Sequence, residues 1–73
     1  MKDEEFKFEI TEHIATIGER GKWSLELNRV IWKDNPEKLD LRTWNEDHTK
    51  MGKGIAFTHE EAARLYEVLE EII

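Results

Sequence analysis

Early in the chain Phe6, Phe8, Ile10 and Ile14 fall on even-numbered positions, the period of a strand with one face turned inward. The alternation falters at Glu12 and His13, where a bulge or bend fits. The pattern predicts a first strand from Phe6 to Ile17, then a turn over Gly18–Gly21, whose two glycines tolerate positive φ. A second strand runs from Trp23 to Lys33, with Leu25, Leu27 and Ile31 on one face and Asn28, Val30 and Trp32 on the other. Asp34-Asn35-Pro36 closes it as a turn. In the third strand, Lys38–Trp44, Leu39 and Leu41 are expected to face the core, which turns Lys38, Asp40, Arg42 and Trp44 the other way. A polar loop over Asn45–Lys50 leads to a short fourth strand, Met51–Phe57.

The period then changes to 3.6. Thr58 is placed to cap a helix, and Glu61 completes a capping box. Ala62, Leu65, Tyr66, Leu69, Ile72 and Ile73 form an apolar stripe that Val68 widens. The order is β-β-β-β-α: an α+β fold in which a four-stranded antiparallel sheet precedes one C-terminal helix, as a single domain over residues 1–73 with no internal repeat.

Size changes the picture, because a domain of 73 residues buries only about 60% of the surface its unfolded chain exposes. Cysteine is absent, which excludes disulfides and thiolate zinc sites and leaves association with a second chain as the expected remedy. No run approaches the roughly 20 apolar residues that span a bilayer, and Met-Lys-Asp-Glu-Glu is not a signal peptide. A soluble, cytoplasmic protein without membrane partners is expected. The net charge of −6 counts against nucleic acid as a partner, but its distribution is uneven. Residues 1–12 carry −3, residues 58–73 carry −4, and residues 13–57 carry +1.

Three tryptophans are a heavy load for this length, and a single helix covers only one face of a sheet. The other face is expected to be open and to present indoles beside cations. Stacking of a base on an aromatic ring is worth about 1–3 kcal/mol and suits every base. Arg29, Lys33, Lys38, Arg42, Lys50 and Lys53 are candidates for the intervening phosphates. Trp44 is expected on the open face; Trp23 shares the parity of Leu25 and Leu27, which favours the core, but stays among the candidate contacts; Trp32 lies between these cases. Arg42 and Asp40 share a face and can simply pair. Lys53 has the parity of Ile55, so its placement on the open face requires a bulge at Gly52 or Gly54. Signals for catalysis are weak. His13, His48 and His59 lack metal-ligand spacing, Glu60-Glu61 and Glu70-Glu71 are neighbours that do not face each other on a helix, and Gly52-Lys53-Gly54 is too short to cradle a phosphate. No enzyme activity, cofactor, metal or small-molecule substrate is expected.

The segment Lys38-Leu-Asp-Leu-Arg-Thr-Trp44, followed by Lys50-Met-Gly-Lys-Gly-Ile55 and by Thr58-His-Glu-Glu61 opening a helix, resembles the positive cofactor four family of transcriptional coactivators. Its short bacterial YdbC-like branch is the nearest likeness, extending from about Phe6 to the end. The resemblance implies a homodimer of curved sheets joined through helices and core faces. It also implies single-stranded DNA lying across the strands without strict sequence preference. By position it assigns Arg42, Trp44, Trp32, Lys33 and Lys53 to that contact, with a role in transcription, replication or repair at the nucleoid. The sequence carries no serine-rich regulatory extension and is strongly acidic, which argues against regulation by phosphorylation and against activator docking. Two alternatives stay open: a protein–protein interaction domain that uses the Trp/Arg face, and single-stranded RNA as the ligand.

Overall fold

The computed structural model describes residues 8–73, so the expected contribution of Phe6 lies outside the described residues. It contains β1 (Phe8–Arg20), β2 (Trp23–Trp32), β3 (Lys38–Trp44), β4 (Met51–Phe57) and α1 (His59–Ile72). The strands form one antiparallel sheet in the order β1-β2-β3-β4. Short connections between sequential strands make this meander the simplest solution for the pattern above.

β1 corrects the expectation for the first turn. Gly18 pairs with Leu25 inside the strand, which continues to Arg20, and the reversal is made by Gly21-Lys22 alone, with Gly21 at φ 66°. Nor is there only one irregularity near Glu12 and His13. The register shifts between Ile10 and Glu12, between His13 and Ala15, and between Thr16 and Gly18. Each shift adds a residue to β1, so its thirteen residues run beside the ten of β2. Bulges bend a strand and increase its twist, and three in succession curl the sheet.

That curl reverses the expected inside and outside. Residues paired across antiparallel strands share a face, which groups Glu26, Asn28 and Val30 of β2 with Arg42, Asp40 and Lys38 of β3. Trp44, opposite Ser24, belongs to the same set. This is the face on which Val30, Trp44, Asn28 and Asp40 lose all contact with solvent. Leu25, Leu27, Leu39 and Leu41, expected in the core, are only half-buried on the opposite face. The expectation of an open Trp44 is therefore corrected: the concave side of a curled sheet closes over its own side chains, while the convex side is left spread.

The capping box forms as expected. Thr58 N donates to Glu61 Oε1 at 2.8 Å, and Glu61 N donates to Thr58 Oγ1 at 3.1 Å. α1 lies mainly against β3 and has no buried residue; Leu65, Tyr66, Leu69, Ile72 and Ile73 are exposed. The radius of gyration, 13.3 Å, exceeds the roughly 11 Å of a compact chain of this length, as an elongated single layer requires.

Candidate nucleic-acid interface

The concave face is built around aromatic rings. Phe8 reaches both indoles, at 5.5 Å between centroids and 41° to Trp32, and at 5.5 Å and 44° to Trp44. Such tilted contacts suit the ring quadrupoles better than a face-to-face sandwich. The Arg42 guanidinium carbon lies 4.8 Å from the centroid of Trp32, within cation–π range. Arg42 is held there by Asp40, whose Oδ1 accepts from Nε at 2.7 Å, and by Met51, whose Sδ lies 3.4 Å from Nη1. Asp40 is wholly buried while the Arg42 side chain keeps 15% of its surface exposed, and this pairing offsets the cost of placing a carboxylate inside the fold. The second carboxylate oxygen of Asp40 and the indole N–H groups of Trp32 and Trp44 are buried without a hydrogen-bond partner among the described residues.

A second cluster adjoins the rings. Glu26 is 5% exposed, and both its oxygens accept from His48 Nε2, at 3.0 and 3.1 Å. Asn28 Nδ2 donates to Glu26 Oε1 at 3.3 Å, while Asn28 Oδ1 accepts from His13 Nδ1 at 2.7 Å. Burial pushes the Glu26 carboxyl up, but hydrogen bonds from His48, Asn28 and Ser24, with the charge of His48, outweigh it and hold the group below the ordinary glutamate range. The same His48 ring packs tilted against Trp44, with centroids 5.3 Å apart and planes at 33°. His48 occupies a left-handed backbone conformation, φ 60°, in the loop between β3 and β4. The turn is clamped by bonds from His48 N to Asn45 O (3.1 Å), from Lys50 N to Asn45 Oδ1 (2.9 Å) and from Thr49 Oγ1 to Asp47 Oδ1 (2.8 Å).

The sequence-predicted residues divide across this geometry. Trp32, Arg42 and Trp44 are brought together, and Lys38, opposite Val30, shares their face. Lys33 is exposed at the end of β2 with φ 51°, and Lys50 is exposed at the entry to β4. Arg29 is not part of the group. It pairs with Leu39 on the convex face, and its Nε donates to Glu12 Oε1 at 2.9 Å. The bulge that Lys53 requires does exist: between the pairs Arg42–Gly54 and Trp44–Met51, the two residues Gly52 and Lys53 stand against Thr43 alone. Lys53 is exposed within this bulge of the edge strand. Gly54 is opposite Arg42, and a Cβ there would collide with the Arg42 side chain and backbone, so the close strand approach under the guanidinium needs glycine. Trp23 is half-buried, outside the fully buried core. Phe8, Glu26, Met51 and His48 were not singled out by sequence. Only the run Trp44-Asn-Glu-Asp-His48, an aromatic followed by a tight polar turn, carries a hint of the contact.

The profile of the family Transcriptional Coactivator p15 (PC4) matches residues 20–68. The chain belongs to that family. The match takes in β2, β3, β4 and most of α1, and with them all nine sequence-predicted contact residues, whereas Phe8 and His13 of β1 lie outside it. An uncharacterized protein of Treponema pallidum (strain Nichols) is similar as well, 38% identical over 71 residues that cover 96% of this chain and 84% of the relative. The PC4 family is known for single-stranded DNA binding and transcriptional coactivation.

Proposed function

We propose that this PC4-family protein binds single-stranded DNA without strict sequence preference and does no covalent chemistry. It acts as a homodimer in the cytoplasm, on melted strands during transcription, replication or repair. The observation that carries the reading is the Trp32–Arg42 pair, an indole and a guanidinium held in contact by Asp40 on a face that Lys38 shares. An aromatic plane offers stacking to any base and the cations offer charge to the phosphates, a combination that needs unpaired strands and reads no sequence. Dimerisation is supported by the apolar surface left on α1 and at Ile55 of β4, which is large for a free monomer.

Fluorescence titration with an oligothymidine of about 20 nucleotides tests the binding. Tryptophan emission falls on stacking, and log affinity falls with log salt at about −0.7 per phosphate contact. Absence of binding at low salt sinks the proposal. Competition with RNA of the same sequence and with duplex DNA ranks the ligands, and a salt-independent protein partner would favour the interaction-domain alternative.

A further inference from the structure

Trp44 is wholly buried beneath Phe8 on one side and His48, whose side chain is 42% exposed and whose ring lies tilted against the indole, 5.3 Å between centroids. His48 is held at its far nitrogen by the buried carboxylate of Glu26. Its backbone sits in the left-handed region, φ 60°, which few residues other than glycine, asparagine, aspartate and histidine adopt, and residues held there by their surroundings cluster at ligand clamps and switches. Trp44 Nε1 is buried without a hydrogen-bond partner among the described residues, so the closed arrangement leaves the indole incompletely satisfied.

We propose that His48 is a built-in stacking competitor that occupies the base position on Trp44, so that a strand gains this ring only by displacing the imidazole from Trp44 and Glu26. The inference rests on the single-strand reading above and deepens it, because it makes His48 a specificity-determining residue. A single strand supplies a replacement plane for Trp44; a duplex offers only phosphates and has nothing to exchange for the lost contact. The groups facing His48 are Glu26 of β2, with His13 of β1 3.6 Å from the same carboxylate oxygen, and Glu19, Lys22 and Glu46, which line the adjoining cleft. The acids outnumber the one lysine, so this cleft does not attract a phosphate chain, and a strand gains here only through a base.

The test compares the full chain with His48→Asn, which removes the ring and keeps a side chain that tolerates φ 60°, and with Glu26→Gln, which keeps the ring and weakens its anchor. Affinity for oligothymidine should rise roughly five- to tenfold in His48→Asn, the scale of one ordinary hydrogen bond lost from the closed state, and by less in Glu26→Gln. Affinity for the duplex should stay unchanged. Hydrogen exchange of the Trp44 indole N–H, assigned with Trp44→Phe, should accelerate in His48→Asn whether or not DNA is present. Oligothymidine bound equally well or less well by His48→Asn overturns the competitor role while leaving the single-strand reading intact, and so does an equal gain for duplex. Failure of every protein to bind any single strand overturns both.

Discussion

On the concave face of the sheet Asn28, Val30, Asp40 and Trp44 have no exposed surface, and three of those four side chains are polar or carry an N–H. On the convex side Ile55 is 62% exposed and the four leucines of β2 and β3 are half-buried; α1 itself has no buried residue. The face richer in polar groups is the better packed of the two. It is closed by its own curvature and by side chains that satisfy one another, as in Asp40 with Arg42 and Glu26 with His48 and Asn28. The convex face has the composition of a core and lacks a cover. Within one chain, burial thus follows the geometry of the sheet before it follows hydropathy, and a second copy is the natural complement of the apolar side.

The contrast is most easily broken at Trp44. Trp44→Ala removes a fully buried indole and should cost about 3–5 kcal/mol, a large share of the stability of a domain this size. Urea unfolding measures it, and a midpoint equal to the parent's would show that the concave face is open after all. Next in size is the convex side. Leu69→Asp sets an unpaired charge in the exposed stripe of α1 and should weaken self-association by at least about a hundredfold, roughly 3 kcal/mol. Sedimentation equilibrium at micromolar concentration should then return a dimer mass for the parent and a monomer mass for the variant. A parent that sediments as a monomer would end the dimer proposal.

The Glu26 cluster sharpens the comparison through pH. Its carboxyl is held below the ordinary glutamate range in the folded state, so its contribution to stability is present above the unfolded pKa and is lost as pH falls through the folded value. Thermal melts taken from pH 7 down to pH 3 should show the parent losing more than Glu26→Gln, with the two curves converging at the acid end. Parallel curves would mean that the bonds to His48 and Asn28 do not stabilise the fold. Smallest of all is Arg29→Ala. Its exposed pair with Glu12 is worth well under about 1 kcal/mol, and on the convex face it should leave oligothymidine affinity nearly unchanged. Arg42→Lys, which keeps the charge but loses the planar contact with Trp32 and Asp40, should lower that affinity for all sequences alike. An equal loss in both variants would erase the distinction between the faces.

Local chemistry was legible in the sequence. The limits of β3 and β4 and the Thr58–Glu61 capping box depend on residues within a few positions of one another, and all are present. The turn expected over Asp34-Asn35-Pro36 comes one residue earlier, at Lys33-Asp34, closed by Asn35 N on Trp32 O. Parity correctly grouped Lys38, Asp40, Arg42 and Trp44 on one face of β3, and the family followed from residues 38–61. Parity also carried the weakness of Lys53, whose side of the strand hung on where a bulge fell.

Which side of the sheet is inside was decided only by the tertiary structure. Alternation divides a strand into two faces but says nothing about which way the sheet curls, and of the three bulges in β1 that curl it the faltering pattern marks only the region of Glu12 and His13. The contact of His48 with Trp44 needs the loop between β3 and β4 to fold back, and its anchor on Glu26 joins residues 22 positions apart. Sequence by itself determined the elements, their order and the residue types of the aromatic face, because those rest on short-range periodicity and capping. Exposure, partnership and strain belong to the assembled sheet, because they depend on what a residue meets from other strands.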